Sequence, residues 1–404
     1  MSAICAKRAF DIEMAVVKSA YCSEGNVMTS HHTPRVWTAF LLASAKQDDP
    51  LARAKGVLRS IVLTFLVGIL ASSAAAAQTR QEGDFVLKDF TFHDGTKLAA
   101  LSLHYITLGD PKSPAVLALH GTSGNGASLL SPDFGGALFG PGQPLDATKY
   151  FIILPDMIGA GKSSKPSDGM RMQFPHYNYD DMVSATYRLL TEGLKIRHVR
   201  LVMGNSMGGM LTWTFGEADP EFMDGLVPLA STPAPMSGRN WILRRMVVET
   251  IKADPDWNGG NYTSQPKSLK LASAFFGFAT SGGNLGLLKR ASTRQAADRL
   301  VEAQLAAPAS GDANDVIYQL DSSRDYDPSP KLARIAAPVL AVNSEDDERN
   351  PHESGLLEKG IAQLKKGQVF LIPASGDTRG HGTTGAAKLW RDQLAKFLLG
   401  LPAR

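Results

Sequence analysis

The sequence predicts an α/β fold in which helices flank a mostly parallel, eight-stranded sheet. Three observations predict it: short apolar runs recur along the chain, helical stretches separate them, and several later runs are apolar without interruption. Alternation of strands and helices is typical of βαβ units, and uninterrupted apolar runs are typical of strands buried on both faces. The predicted strands are Phe85–Phe92, Lys97–Thr107, Ala115–Leu119, Tyr150–Leu154, Val199–Met203, Leu226–Ala230, Val339–Val342 and Gln368–Ile372.

Helical stretches are predicted between these strands, and the alternation stops in one region. The clearest predicted helices are Tyr179–Leu194, Met207–Ala218 and Gly385–Leu399. Residues 233–330 contain no convincing buried strand, and joints rich in glycine, proline and asparagine separate their helical segments. The pattern therefore predicts a core made of residues 78–232 and 331–404, with residues 233–330 inserted as a helical cap over the edge that carries the site.

Charge and cysteine content exclude several classes of function. The chain has 42 Lys and Arg against 39 Asp and Glu, and residues 1–77 carry eight of the basic and five of the acidic side chains. The remainder is neutral, so we expect no nucleic-acid partner. Cys5 and Cys22, the only cysteines, also precede residue 78, which excludes a disulfide framework or a thiolate metal site in the remainder. We expect neither a metal nor a cofactor, and oligomeric state is left open.

Residues 1–77 are predicted to be an N-terminal extension followed by a signal peptide. Three basic side chains at positions 53–59 precede the apolar run Ile61–Leu70, and small residues follow up to an Ala-x-Ala pattern that ends at Ala77. This order is typical of a secretory signal, whereas a membrane span needs roughly 20 apolar residues. We therefore expect export to the periplasm or the exterior, with no stable membrane insertion once the signal is removed.

The strongest chemical signal is a Gly-x-Ser-x-Gly motif centred on Ser206. Gly204 and Gly208 flank the serine, which lies directly after a predicted strand and directly before a predicted helix. A sharp strand-to-helix turn needs small residues on either side, and the serine at its centre projects its hydroxyl. The free amide groups at the start of the helix can stabilise a developing oxyanion. The motif therefore predicts a nucleophile rather than an ordinary turn serine.

A serine nucleophile needs a neighbouring base, and two histidines follow Ser206 in the chain. His381 lies in a loop between the last predicted strand and the last predicted helix. His352 follows a proline directly behind the loop that is expected to hold the acid, too close to that loop to be the base. We predict His381 as the base, and the alternative is a histidine in a surface loop.

The acid is predicted in the loop Asn343–Pro351, where four consecutive acidic residues follow a strand. Loops of this kind usually place the acid four residues before a proline, which favours Asp347 and leaves Asp346 as an alternative. A solvated acidic loop is the other interpretation. The acid would accept the imidazole Nδ1–H, hold the tautomer and stabilise the imidazolium.

The second donor of an oxyanion hole is expected in the loop after the third predicted strand. The pair His120-Gly121 stands there, immediately before Thr122. We therefore predict that the backbone N–H of Thr122 acts together with the backbone N–H of Met207. Loss of one such donor typically costs ~2.7–4 kcal/mol of transition-state stabilisation.

These motifs together resemble the α/β-hydrolase superfamily and, within it, the homoserine O-acetyltransferase-like group. The resemblance covers about residues 85–231 and 325–395. The segments that carry it are Gly140–Asp146, Tyr150–Pro155, Phe174–Pro175, Asp181–Val183, Gly204–Met210 and Pro220–Asp224. It implies the α/β-hydrolase fold, acyl chemistry on a small-molecule acyl substrate, and the order serine, acid, histidine along the chain.

Two departures from the acetyltransferase pattern bear on the reaction. Acetyltransferases of this group carry Gly-His-Asp at the base, whereas residues 380–382 of this chain are Gly-His-Gly. They also carry a Gly-Arg/Lys-Pro-Tyr stretch, whereas residues 169–173 of this chain are Gly-Met-Arg-Met-Gln. The missing aspartate removes a partner for a substrate ammonium group, and export does not suit acetyl-CoA, a cytosolic cofactor. We therefore expect a serine hydrolase that cleaves a carboxylic ester, an amide or a thioester through an acyl-enzyme. An O-acyltransferase and a non-catalytic binding protein are the alternatives.

Overall fold

A computed structural model describes residues 80–402, except residues 281, 309 and 310. The predicted N-terminal extension and signal peptide lie outside the described residues. The strands are β1 (Gln81–Thr91), β2 (Lys97–Leu108), β3 (Ala115–Leu119), β4 (Phe151–Pro155), β5 (Leu201–Asn205), β6 (Leu226–Leu229), β7 (Val339–Ser344) and β8 (Gly367–Ile372). They form one sheet in the order β1-β2-β4-β3-β5-β6-β7-β8. The pairs β1–β2 and β2–β4 are antiparallel and all other pairs are parallel, which confirms the predicted fold class.

Most of the helices lie between strands, and five of them follow one another between β6 and β7. The α-helices are α1 (Gly135–Leu138), α2 (Tyr179–Arg188), α3 (Met207–Ala218), α4 (Gly238–Lys252), α5 (Ser268–Thr280), α6 (Asn284–Arg290), α7 (Arg294–Ala306), α8 (Ala313–Asp321), α9 (Leu356–Ile361) and α10 (Arg391–Leu399). Between β6 and β7 the described residues form α4 to α8 and no strand. The boundaries of the cap at residues 233 and 330 remain a prediction. Among the described helices, none is long and apolar enough to cross a membrane alone, and α5 with α6 passes that test only as a bent pair.

Two predicted helices are longer than the observed ones. The stretch Tyr179–Leu194 continues beyond α2 as a π-helical turn. The predicted helix Gly385–Leu399 is wrong over its first half, where a 3₁₀ turn, Ala387–Leu389, precedes α10. The interruption lies at Trp390, whose backbone leaves helical angles (φ −141°, ψ −7°). Its buried indole donates a hydrogen bond to the carbonyl of Thr384 over 2.8 Å, so core packing overrides the local helical preference.

An apolar layer on each face of the sheet holds the helices in place. Along β3, Leu117 and Leu119 belong to one layer while Val116 and Ala118 belong to the other. Helices α2 and α3 contribute to the first layer, and α1 and α10 contribute to the second. Burial on both faces explains why the central strands are apolar without alternation. The cap has a smaller apolar cluster of its own.

Candidate active site

The turn between β5 and α3 holds Ser206 in a strained backbone conformation (φ 57°, ψ −111°). A non-glycine residue rarely adopts such angles unless its surroundings impose them. Here the backbone N–H of Ser206 donates to Leu229 O on β6 over 2.9 Å. Gly208 packs so closely on β3 that an added Cβ would lie 2.1 Å from Leu119 O, and a Cβ on Gly204 would lie 2.4 Å from the Gly208 carbonyl. The motif glycines are therefore required for the turn to close.

The structure brings Ser206, His381 and Asp347 together in one hydrogen-bonded series. Ser206 Oγ lies 2.7 Å from His381 Nε2. His381 Nδ1 lies 2.9 Å from Asp347 Oδ2 and 3.1 Å from Oδ1. An imidazole that donates from Nδ1 to a carboxylate leaves Nε2 free to accept the serine proton. All three side chains are buried, and Ser206 is the most accessible at 8% exposure.

Asp347 receives further hydrogen bonds that hold it as a carboxylate. The backbone N–H groups of Arg349 and Asn350 donate to Oδ1 over 2.9 and 3.2 Å, and Asn350 Nδ2 donates to Oδ2 over 3.0 Å. Burial raises the pKa of Asp347, but the neighbouring His381 and these donors outweigh that effect, so the pKa lies below its ordinary value. The same Asn350 amide donates to Ala230 O over 3.1 Å and so joins the acid loop to the end of β6. Sequence reasoning did not single out Asn350.

The alternative acid and the alternative base lie elsewhere. In the described part of the chain, Asp346 makes no hydrogen bond to the His381 imidazole and instead accepts hydrogen bonds from Ser344 Oγ and Thr378 Oγ1 over 2.5 and 2.6 Å. His352 is exposed, and its Nδ1 lies 3.2 Å from Glu358. The structure thus unites His381 with Asp347 and leaves Asp346 and His352 outside the series.

The two predicted oxyanion donors belong to segments that adjoin the serine. Met207 begins α3, and a Cβ added to Gly121, the residue before Thr122, would lie 3.5 Å from Ser206 Cβ. Within the described part of the chain, neither the Thr122 N–H nor the Met207 N–H donates a hydrogen bond. Both amides are therefore available to a developing oxyanion.

His120 holds the loop that carries Thr122. Its Nε2 accepts a hydrogen bond from the Met157 N–H over 3.0 Å, so Nδ1 carries the proton and donates to Gly121 O over 2.8 Å. Complete burial lowers the pKa of His120, which favours the neutral ring. Sequence reasoning placed His120 in this loop without assigning it a role.

Two buried arginines lie close to the site, and no motif in the sequence pointed to them. Arg244 on α4 is 1% exposed and donates to Thr122 Oγ1 over 3.3 Å, while its Nη1 has no hydrogen-bond partner among the described residues. The Arg349 guanidinium stacks 4.1 Å from the ring centroid of Phe276 on α5. Burial and the charge of Arg244 lower the pKa of Arg349 to about 9.

No group of three or more His, Cys, Asp or Glu side chains suited to a metal ion occurs in the part of the chain that the structure describes.

Comparisons with known proteins agree with this architecture. The family sequence model of the alpha/beta hydrolase fold matches residues 114–378. The homoserine O-acetyltransferase of Moorella thermoacetica is 34% identical over 203 residues, which are 44% of this chain but only 53% of that protein. The crystal structure of homoserine O-acetyltransferase from Bacillus anthracis superposes with a TM-score of 0.67 at 22% identity, covering 81% of this chain and 99% of that one.

An esterase shows a similar level of structural likeness. The acetylester hydrolase from Corynebacterium glutamicum superposes with a TM-score of 0.68 at 22% identity, covering 79% of this chain and 96% of that one. Structural likeness at this level of identity shows the fold alone. The chain belongs to the α/β-hydrolase fold family.

Proposed function

We propose that this protein hydrolyses a carboxylic ester through an acyl-enzyme intermediate. The 2.7 Å contact between Ser206 Oγ and His381 Nε2 is the observation that carries the proposal. Ser206 Oγ attacks the ester carbonyl while His381 takes its proton, and the amides of Met207 and Thr122 hold the oxyanion. Collapse of the tetrahedral intermediate breaks the bond to the alkoxy group, which leaves as an alcohol with the proton returned by His381.

Water then completes the cycle. His381 removes a proton from a water molecule, which attacks the acyl carbonyl, and the bond to Ser206 Oγ breaks as the oxygen recovers that proton. The acid is released and the free enzyme is restored. Asp347 keeps the imidazole in the required tautomer throughout and stabilises it while it is charged.

The test is Ser206→Ala in purified protein with p-nitrophenyl acetate as substrate. Without the nucleophile we expect kcat to fall by about 10³-fold or more. We also expect a fluorophosphonate to label the parent protein at Ser206 and to leave the variant unlabelled. Hydrolysis by the variant at a rate comparable with the parent would exclude the mechanism, and failure to label the parent would favour a non-catalytic binding protein.

An O-acyltransferase is the second candidate, and Arg244 is the observation that favours it. A buried guanidinium beside Thr122 suits the carboxylate of an amino-acid acceptor, and the relative from Moorella thermoacetica is named for homoserine. Hydrolysis is favoured because Gly382 follows His381 where acetyltransferases carry an aspartate that would suit the acceptor's ammonium group. Product analysis with an ester and excess homoserine separates the two: hydrolysis yields free acid, and transfer yields O-acyl homoserine.

A further inference from the structure

Asp346 lies at a junction between the acid loop and the loop that carries the base. Its Oδ1 accepts a hydrogen bond from Ser344 Oγ at the end of β7 over 2.5 Å. Its Oδ2 accepts from Thr378 Oγ1 over 2.6 Å and from the Gly380 N–H over 3.3 Å. Both oxygens are therefore used, and Oδ2 is bonded to the residue that immediately precedes His381.

The cap packs on the other side of the same loop. A Cβ added to Gly286 on α6 would lie 2.2 Å from Thr378 O, and one added to Gly283 would lie 2.4 Å from Asp346 Oδ2. Gly380 has a φ of 57°, and a Cβ added to it would lie 2.7 Å from Gly283 N. The loop that carries His381 is thus held between Asp346 and the backbone of the cap. The contacts are so close that none of these glycines could carry a side chain.

We propose that Asp346 is a positioning residue for the general base, which it orients through the backbone of residues 378–380 rather than through the imidazole. The two adjacent aspartates then have separate tasks, because Asp347 contacts the ring and Asp346 holds the loop. The role rests on the proposed function, in which His381 must stay within hydrogen-bonding distance of Ser206. Misplacement of a catalytic group by ~1 Å can cost ~10²-fold in rate.

The experiment compares Asp346→Ala and Asp346→Asn with Asp377→Asn, using p-nitrophenyl acetate. Asp377 is a matched control, because it lies in the same loop and its carboxylate is exposed and pairs with Lys289 at the surface, 2.6 Å away. We expect Asp346→Ala to lower kcat by about 10–100-fold with little change in KM, since both carboxylate oxygens of Asp346 are bonded to protein groups. Asp346→Asn keeps one acceptor oxygen, so its kcat should fall by only about 3–10-fold. The kcat of the Asp377→Asn control should stay within about twofold of the parent value.

Labelling and unfolding measurements separate positioning from a loss of folded protein. We expect fluorophosphonate labelling of Ser206 to slow in parallel with kcat while circular dichroism and Tm show a folded protein. Parent-level kcat in both Asp346 variants, or a rise in KM with unchanged kcat, would overturn the role. If Asp346→Ala does not fold, Asp346→Asn decides by the same criteria.

Failure of this inference is distinct from failure of the proposed function. An inactive Ser206→Ala together with fully active Asp346 variants overturns only the positioning role. Activity retained by Ser206→Ala removes the general-base mechanism itself, whatever the Asp346 variants do.

Discussion

His120 and His381 are both buried, in loops that contribute to the site, yet their contacts give them different tasks. The Nε2 of His120 already accepts a hydrogen bond from a backbone amide, so it has no lone pair to offer a serine proton. The Nε2 of His381 faces the Ser206 hydroxyl, and its Nδ1 faces Asp347. At the scale of single residues, hydrogen-bond partners rather than residue type decide which histidine can act as a base.

Arg244 provides a prediction about substrate preference. Because its guanidinium is a buried cation beside Thr122, whose backbone N–H is a predicted oxyanion donor, we expect it to bind a carboxylate on the substrate. Arg244→Met keeps an apolar stem and removes the charge, so kcat/KM for an ester that carries a carboxylate should fall by roughly 10-fold or more. Hydrolysis of the neutral p-nitrophenyl acetate should change much less. An equal loss for both substrates would indicate a structural role instead.

The strand–turn–helix unit β5–Ser206–α3 is the element on which the site depends. Gly208 and Gly209 pack directly against the backbones of β3 and β6, where added Cβ atoms would lie 2.1 Å from Leu119 O and 2.4 Å from Leu229 O. These contacts are with carbonyl groups that belong to the sheet and cannot rotate away. The nucleophile is therefore positioned by close helix–sheet packing as much as by the turn itself.

Gly208→Ala tests this packing. Since the added methyl group would overlap a strand carbonyl, we expect the free energy of unfolding to fall by at least about 1–3 kcal/mol in urea titrations. Gly136→Ala in α1 is the control, because its nearest neighbour would lie at 3.8 Å, and it should be neutral or slightly stabilising. Equal stability of both variants would contradict the packing argument.

At the scale of the whole molecule, one buried acid links stability to pH. Glu217, near the end of α3, is 5% exposed, and its Oε1 has no hydrogen-bond partner among the described residues. Burial raises the pKa of Glu217 to about 8. The folded state therefore keeps this proton at pH values at which the unfolded chain, with a pKa of about 4.3, has lost it.

The pH dependence follows from that difference. Between about pH 5 and pH 8 the folded state binds more protons than the unfolded state, so Glu217 makes the free energy of unfolding fall as pH rises. In Glu217→Gln the side chain stays uncharged, so the decrease in the free energy of unfolding from pH 5 to pH 8 should be smaller than in the parent by on the order of 1–3 kcal/mol. Denaturant titrations at the two pH values measure this difference. Parallel pH profiles for the parent and the variant would show that the carboxyl is already ionised in the folded protein.

The export signal is a further proposal at this scale. Because small residues and an Ala-x-Ala pattern follow the apolar run Ile61–Leu70, we propose cleavage after Ala77. The exported protein should then begin at Gln78, three residues before β1. N-terminal sequencing of the protein recovered from the periplasm or the medium checks this, and a mature chain that begins earlier would contradict it.

The sequence by itself determined the fold class, the strand positions and the motif around Ser206, because each of these depends on a local pattern. Burial on both faces makes a strand apolar throughout, and a sharp turn requires glycine on both sides of the serine. The same local reasoning failed at Gly385–Leu399, where the helical pattern is interrupted by the packing of Trp390.

The tertiary structure decided what local patterns could not. The spacing to Pro351 favoured Asp347 over its neighbour Asp346, but only the fold shows which carboxylate faces the imidazole of His381, 34 residues away from Asp347. Arg244 meets Thr122 across 122 residues, a contact that no spacing rule anticipates. Side chains that lie far apart in the chain become neighbours only when the sheet order and the cap bring them together, so the environment of the nucleophile is a property of the folded molecule.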